Sequence, residues 1–477
     1  MADLDAESRS RPHIVVVGGG ITGLATAWYL QAAGHAPTRV TVVEADDRLG
    51  GKIRTAELGG VPVEAGPDTF LARVPWATDL CRELGLQAEL VSPASSKAYL
   101  WCRGRLRPLP SGLVLGVPTR LRPLLQSKIL SRAGAARAAL DVVLPRRRNL
   151  GADPSVADVI TARLGREALE QLVEPLVGGI NAGSADTLSL RSAARQLSVA
   201  SARHRSLILA LRQEQRSRGD GALAGPVFQS LSGGLERLVD RLREVLVDTE
   251  VRAATRVETV VADGARWRLR CAPGDDIVAD AVVVTVPSFA AASILRESCL
   301  GAAAELDAIR YASVVTATLG YEPRAVPRSL DGSGFLVPRA EGKLLTACTW
   351  STSKWPALGA SGLVMLRPSA GRFGDERAMQ LDDDELVARL HEELAETVGA
   401  TAPPVTSMVS RWPNAFPQYE PGHEERVGRI ESALSELPGV LLAGAAYRGL
   451  GIASCIQQAE HAAGRVTAIL SHRGGRS

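Results

Sequence analysis

Aromatic residues make up only 4% of the 477-residue chain, too few for the stacking platforms on which single-stranded nucleic acid is held. The six cysteines (Cys81, Cys102, Cys271, Cys299, Cys348 and Cys455) stand far apart, with no C-x-x-C pair. They predict reduced, mostly buried thiols in a cytoplasmic setting rather than a disulfide framework. The seven histidines show no H-x-x-x-H or H-x-C clustering, so no metal site is expected. No run of 18 or more apolar residues exists, which excludes a spanning helix and leaves at most peripheral contact with a membrane. The first eleven residues are polar and acidic and lack the apolar stretch of a signal peptide. Excess charge of one sign is also missing: 55 Lys+Arg against 52 Asp+Glu leave a net charge of +3. That argues against nucleic-acid binding through bulk basic surface. The rest is ordinary globular composition, 45% hydrophobic and 22% charged, long enough for about three domain-sized units.

The clearest local signal comes first. His13–Val17 is apolar and β-branched, the pattern of a buried parallel strand. It enters Gly18-Gly19-Gly20-Ile21-Thr22-Gly23, and a helix is expected to about residue 33, with Gly34 as its stop. A second strand, Arg39–Val43, ends at Glu44. Residues 76–215 read as mostly helical. Within them, residues 101–150 carry eleven Lys/Arg against the single Asp141, a local charge near +10 (eleven minus one). That stretch has three readings: attraction of a polycarboxylate substrate, contact with an anionic membrane surface, or a solvated arginine face. A linker is expected at 219–226, then a helix to about 246. Strand signals follow at 250–261, 266–270, 281–286 and 311–320, with a hairpin of 334–337 and 344–350 around Glu341-Gly342. Residues 363–366 are a further strand candidate. An acidic amphipathic helix covers 382–397, and the end of the chain reads as strand 440–443, a turn at Gly444 and a helix over 454–470.

The glycine run sits in a complete β-α-β unit, the setting in which G-x-G-x-x-G carries weight. Gly18 permits a tight turn, Gly20 lets backbone approach a pyrophosphate, and Gly23 lets helix and strand pack closely. The helix N-terminus offers free N–H groups to that anion. Glu44, 21 residues beyond Gly23, is placed to accept ribose hydroxyls, and an acid there favours NAD or FAD over NADP. The alternative is a glycine turn with no ligand. Glu44-Ala45-Asp46-Asp47-Arg48-Leu49-Gly50-Gly51 matches the longer E-x-x-x-R-x-G-G pattern of flavin-dependent amine-oxidase-like proteins.

Further segments narrow the match. Gly51-Lys52-Ile53-Arg54-Thr55, Glu64-Ala65-Gly66-Pro67-Asp68-Thr69-Phe70-Leu71, Pro175-Leu176-Val177-Gly178-Gly179-Ile180-Asn181-Ala182-Gly183, Arg411-Trp412-Pro413 and Leu442-Ala443-Gly444-Ala445 follow in order. Together they resemble the protoporphyrinogen/coproporphyrinogen oxidase family of heme biosynthesis, over nearly the whole chain. The resemblance implies an α/β architecture: a discontinuous, Rossmann-like FAD-binding domain (residues 1–90, 221–300 and 406–477), a helical domain (91–220) and a β-rich substrate domain (301–405). It implies that Gly18, Gly19, Gly20, Ile21, Thr22, Gly23, Glu44 and Ala45 hold pyrophosphate and ribose. Lys52, Gly66, Pro67, Asp68 and Thr69 would flank the flavin and ribityl chain, and Val257 would meet the adenine. Trp412, Ala445, Leu450, Gly451 and Ile452 would close the other side. Without the resemblance, Trp412 reads equally well as a core tryptophan, and 450–452 as an ordinary turn before a helix.

The same resemblance implies FAD-dependent, oxygen-using oxidation of coproporphyrinogen III to coproporphyrin III, with release of hydrogen peroxide. The nearest rival is a protoporphyrinogen IX oxidase. More distant are an amine oxidase or carotenoid desaturase, and a non-catalytic flavin or porphyrin carrier serving a ferrochelatase. Porphyrinogen and molecular oxygen are the implied partners, ferrochelatase a candidate one, and the oligomeric state stays open. Leu336 in Gly334-Phe335-Leu336-Val337-Pro338 would touch the macrocycle, and the Gly334 carbonyl would face its pyrrole N–H groups, unless this is an ordinary hairpin strand. Many members place a propionate-binding cation where this chain has Ala98, so Lys97 or Arg73 is the expected substitute, against a solvated-charge reading for each.

Overall fold

The computed structural model describes residues 11–32, 38–145, 150–217 and 225–474. The expected stop at Gly34, the 219–226 linker up to residue 224, and Arg146, Arg147 and Arg148 of the basic stretch lie outside the described residues.

A five-stranded parallel sheet runs in the order Thr249–Arg252, Arg39–Val43, His13–Val17, Ala281–Val284, Val440–Leu442. Its central strands are short runs of Val, Ile and Ala because both faces are covered, as parallel sheets require. Ile14 and Val16 face a layer formed by helices Ile21–Ala32, Glu236–Val245 and Ile452–Gly474. Val15 and Val17 face the opposite layer, the meander Arg256–Asp263, Arg266–Ala272, Ile277–Ala279 with helices Ser288–Leu295, Leu300–Asp307 and His423–Leu434. His13–Val17 is therefore flanked by an early strand on one side and a much later one on the other. The crevice beyond the carboxyl ends of such strands is where open α/β sheets take ligands.

A second sheet has seven strands, in the order Thr406–Pro417, Tyr311–Tyr321, Val364–Ala370, Leu345–Trp350, Gly334–Leu336, Ala98–Cys102, Arg105–Pro108. The acidic helix Asp383–Val398 starts on Asp382, whose side chain accepts the Glu385 N–H. It buries Leu386, Leu390 and Leu394 in the core shared with this sheet and turns most of its acids outward, while Glu393 accepts the N–H groups of Leu344 and Leu345. A third core is helical, built between residues 121 and 217 around Ile160, Leu169, Leu172 and Leu197.

The expectation of helix from residue 76 fails over 90–118, where the chain forms strands. The reason is visible at Tyr99-Leu100-Trp101-Cys102. Leu100 and Cys102 enter the helical core while Tyr99 and Trp101 enter the core of the seven-stranded sheet. A stretch buried alternately in two cores needs the period of a strand, and its parallel partner, Gly334–Leu336, comes from far along the chain. The basic character of 101–150 is partly consumed internally. Arg137 donates to the carbonyls of Ala162 and Arg163 at 2.9 and 2.8 Å, closing a helix end. Asp141 is fully buried and accepts from Ser206 Oγ and the Ile208 N–H. Among the described residues no helix is long and apolar enough to cross a membrane.

Close contact between strand and helix depends on Gly23, where a Cβ would stand 1.8 Å from the Gly18 carbonyl oxygen. Gly23→Ala is expected to lower the unfolding free energy by about 1–3 kcal/mol, as overpacking does. The check is chemical denaturation in the absence of added flavin, with an unchanged midpoint as the contrary result.

Candidate functional site

The turn at the end of His13–Val17 divides its glycines by function. Gly18 has φ +107°, and a side chain there would strike Thr285 Oγ1 at 2.8 Å. Gly20 is the reverse: a Cβ would meet nothing within 4 Å. Its missing side chain serves no packing need and leaves bare backbone beside open space. Leu24 makes the first helical bond, to the Gly20 carbonyl at 3.0 Å. The N–H groups of Ile21, Thr22 and Gly23 therefore have no acceptor inside the helix and present its positive end. Glu44 pins the turn, its carboxylate accepting the N–H groups of Gly19 (2.6 Å) and Asp46 (2.8 Å). Exposed Ala45 lies between them in sequence. The Thr255 N–H bonds the Glu44 carbonyl at 2.8 Å, which brings the strand carrying buried Val257 to the same corner.

Arg48 holds the next loop, donating to the carbonyls of Gly51 (2.8 Å) and Ile53 (2.7 Å). Lys52 reaches across to the Ala415 carbonyl at 2.6 Å. It is exposed, yet removal from bulk water lowers its ammonium below the ordinary lysine value, against a small opposing effect of the Cys455 thiol. Lys52 thus borders the open space at Gly20, since a Cβ on the preceding Gly51 would lie 3.3 Å from the Gly20 Cα; this is the groove of the site. Gly66 is pressed against Lys52, since a Cβ there would come 1.9 Å from the Lys52 carbonyl. The Ala65 carbonyl accepts from Trp412 Nε1 (2.9 Å), Thr316 Oγ1 (3.2 Å) and Arg367 (3.4 Å), and Arg367 also bonds the Gly66 carbonyl. After Pro67, Asp68 pairs with Lys354 at 2.6 Å, and Thr69 Oγ1 donates to it at 3.3 Å. Burial by itself would raise the Asp68 carboxyl, but Lys354 and Arg367 hold it below its ordinary value.

The end of the chain meets the same groove. Tyr419 Oη donates to the Ala445 carbonyl (2.6 Å) and accepts the Gly449 N–H (2.8 Å). The turn through Leu450 and Gly451 then opens helix Ile452–Gly474, with the Cys455 N–H bonding the Gly451 carbonyl at 3.0 Å. A Cβ on Gly444 would lie 3.7 Å from Thr22 Oγ1, so this turn abuts the first glycine turn.

Beside the groove lies a cavity between the helical core and the seven-stranded sheet. Helix Glu174–Asn181 supplies Gly178 and Gly179, and the seven-stranded sheet supplies Val314, Thr316, Leu336, Val337 and Phe416. Glycines here keep that wall low; a Cβ on Gly179 would already reach Leu336 Cδ2 at 3.7 Å. Thr316 belongs both to the cavity wall and to the Ala65 carbonyl bond, which ties cavity and groove together. Leu336 lines the cavity. Gly334, two residues earlier, is held between Thr349 and Ala98 and does not line it. Lys97 points elsewhere, pairing with Asp331 and lying over the Tyr99 ring at 5.0 Å. Arg73 is exposed and also outside the cavity.

The cations that do line it are Arg339 and Arg372, with Glu174 as the facing acid. Neither arginine stands in a recognisable motif; each simply follows a strand that the sequence pattern reveals. Arg367 and Lys354 are likewise unmarked, because their partners Ala65, Gly66 and Asp68 are nearly 300 residues away.

Glu64, just before this wall, accepts the Leu235 N–H at 2.5 Å and the Thr55 hydroxyl at 3.1 Å. Burial nevertheless pushes its carboxyl from 4.5 up to about 7, outweighing those bonds and Arg367. A carboxyl raised on folding disfavours the folded state once ionised, so its stabilisation is complete below pH 4.5 and is lost as pH rises to about 7. Glu64→Gln is expected to remove about 1–3 kcal/mol of that pH dependence. Urea unfolding at pH 4.5 and pH 8 measures it; an undiminished pH effect in the variant would contradict the assignment.

Comparison with known proteins agrees with this geometry. The model of the flavin-containing amine oxidoreductases matches residues 21–467. The coproporphyrinogen III oxidase of Bacillus subtilis is 37% identical over 463 residues, covering 95% of this chain and 98% of that protein. The chloroplastic protoporphyrinogen oxidase of rice is 29% identical over 492 residues, covering 97% and 90%. A crystal structure of an Exiguobacterium sp. 255-15 protein, assigned as a protoporphyrinogen oxidase, superposes with a TM-score of 0.86 at 32% identity, covering 96% and 99%. The Rossmann-like sheet, the glycine turn and these matches lead to one conclusion: the chain belongs to the flavin-containing amine oxidoreductase family.

Proposed function

We propose that the protein is an FAD-dependent, oxygen-using coproporphyrinogen III oxidase, converting its substrate to coproporphyrin III. The observation that carries the reading is the shared wall at Thr316, which lines a cavity of aliphatic, hydroxyl and charged groups and also bonds the Ala65 carbonyl in the segment beside Lys52. The 37% identity to the Bacillus subtilis coproporphyrinogen III oxidase supports the substrate choice. Bare backbone at Gly20, the free N–H groups of Ile21–Gly23 and the desolvated Lys52 fit FAD. In this reading Gly18, Gly19, Gly20, Ile21, Thr22, Gly23, Glu44, Ala45 and Val257 hold its adenosine and pyrophosphate. Lys52, Gly66, Pro67, Asp68, Thr69, Trp412, Ala445, Leu450, Gly451 and Ile452 hold the ring end. When bound, the flavin supplies the two-electron redox chemistry. The protein's part is placement and polarity. The start of helix Ile452–Gly474 directs a positive dipole end into the groove, the arrangement that stabilises developing negative charge. The Trp412, Thr316 and Arg367 bonds fix the wall between cofactor and substrate.

The reading extends to oxygen as the electron acceptor, hydrogen peroxide as a product and a cytoplasmic location. A second reading, oxidation of protoporphyrinogen IX, is favoured by the likeness to the rice enzyme. Purified, FAD-loaded protein given each porphyrinogen, with porphyrin fluorescence followed, is expected to turn over coproporphyrinogen III faster; the opposite order supports the second reading. Gly20→Val is expected to keep the fold, since its side chain enters open space, but to lose bound flavin, seen as loss of the absorbance near 450 nm. Normal flavin content in that variant would sink the assignment of the groove.

A further inference from the structure

We propose that Arg339 and Arg372 form a receptor for one propionate carboxylate of the porphyrinogen, at their end of the cavity. The inference rests on the substrate class proposed above. Both guanidiniums line the cavity, and the Nε atom of each is buried without a hydrogen bond, that of Arg339 lying 3.6 Å from Glu174 and that of Arg372 4.0 Å from Asp375. Arg372 makes no side-chain hydrogen bond among the described residues and reaches only Asp375, at 4.0 Å. Asp375 is already engaged, accepting from Arg377 Nε at 2.9 Å and Nη2 at 2.8 Å. Arg339 donates to the Phe373 carbonyl at 3.3 Å and stands 3.6 Å from Glu174. The other oxygen of Glu174 accepts the Ala185 N–H at 2.7 Å. Three cations thus face two acids, and the excess is one positive charge. Burial, and then the repulsion from Arg339, lower the Arg372 guanidinium below its ordinary value. The Arg372 donors left unmade at 11% exposure are unfavourable, and a planar carboxylate is the group that the fork geometry of a guanidinium matches. Coproporphyrinogen III brings four propionates. Arg339 and Arg372 are the only cations among the described residues that line the cavity; of its hydroxyls, those of Thr316 and Thr346 already donate to the Ala65 and Ser369 carbonyls.

The test measures binding of coproporphyrin III by fluorescence and the KM for coproporphyrinogen III, in the FAD-loaded wild type and in Arg372→Gln, Arg339→Gln and Arg372→Lys. Each glutamine variant is expected to raise both Kd and KM about tenfold or more, kcat changing far less, with the lysine variant partly restored. Binding of coproporphyrin tetramethyl ester, which carries no carboxylate, is expected to be the same in all four proteins. Arg339 is 40% exposed, so its variant keeps the question open to measurement should loss of Arg372 prevent folding. Unchanged Kd and KM in glutamine variants with a normal unfolding midpoint would overturn the receptor while leaving the enzyme reading intact. A wild type that binds coproporphyrin III through these arginines without oxidising its porphyrinogen would support the receptor and overturn the enzyme reading.

Discussion

Two main-chain carbonyls, those of Ala65 and Gly66, tie the segment packed on Lys52 to the seven-stranded sheet. Three donors converge on them from the seven-stranded sheet: Trp412 Nε1, Thr316 Oγ1 and Arg367. The segment that carries them is pressed against Lys52, whose own ammonium returns to the Ala415 carbonyl on the same sheet. Carbonyls buried at such a seam must be satisfied, and here side chains rather than a sheet ladder satisfy them. The wall between groove and cavity is therefore set by hydrogen bonds with defined directions, not by apolar contact alone. Gly66 has to be glycine for its segment to come this close to Lys52. Without the seam, the glycine turn and the cavity would be set against each other by fewer bonds, among them Lys52 to Ala415 and Lys354 to Asp68.

Charge is managed by the same logic. An almost neutral total conceals cations sent to particular anions inside the structure. Lys354 goes to Asp68 beside the groove, and Arg137 to the carbonyls at a helix end. Arg163 goes to fully buried Asp141, 3.9 Å away. Most of the exposed pairs contribute little. The partly buried ones shape sites, because removal from water strengthens each interaction and raises the penalty for an unpaired group. Low aromatic content fits this picture. Among the described residues Phe416 is the single aromatic lining the cavity, whose other walls are backbone, aliphatic, hydroxyl and charged groups.

Much was determined by the amino-acid order alone. The parallel strands announce themselves because a strand buried on both faces must be continuously apolar. The glycine turn is legible because the positive φ of Gly18 and the packing of Gly23 on the Gly18 carbonyl are set within a few residues, although Thr285 also crowds Gly18, and the hairpin after Gly334 because its turn is local. Tertiary structure alone decided what depends on distant partners. Residues 98–108 look helical until their partner strand from 334–336 is in place, since alternation between two cores cannot be read from one segment. Lys97, a reasonable anion ligand by position, is taken by Asp331. Arg339, Arg367 and Arg372 carry no local pattern, because an arginine's role is set by which carbonyl, carboxylate or cavity the fold brings to its guanidinium. Periodicity encodes burial and backbone conformation within a few residues; the pairing of charges is a property of contacts between chain segments hundreds of residues apart.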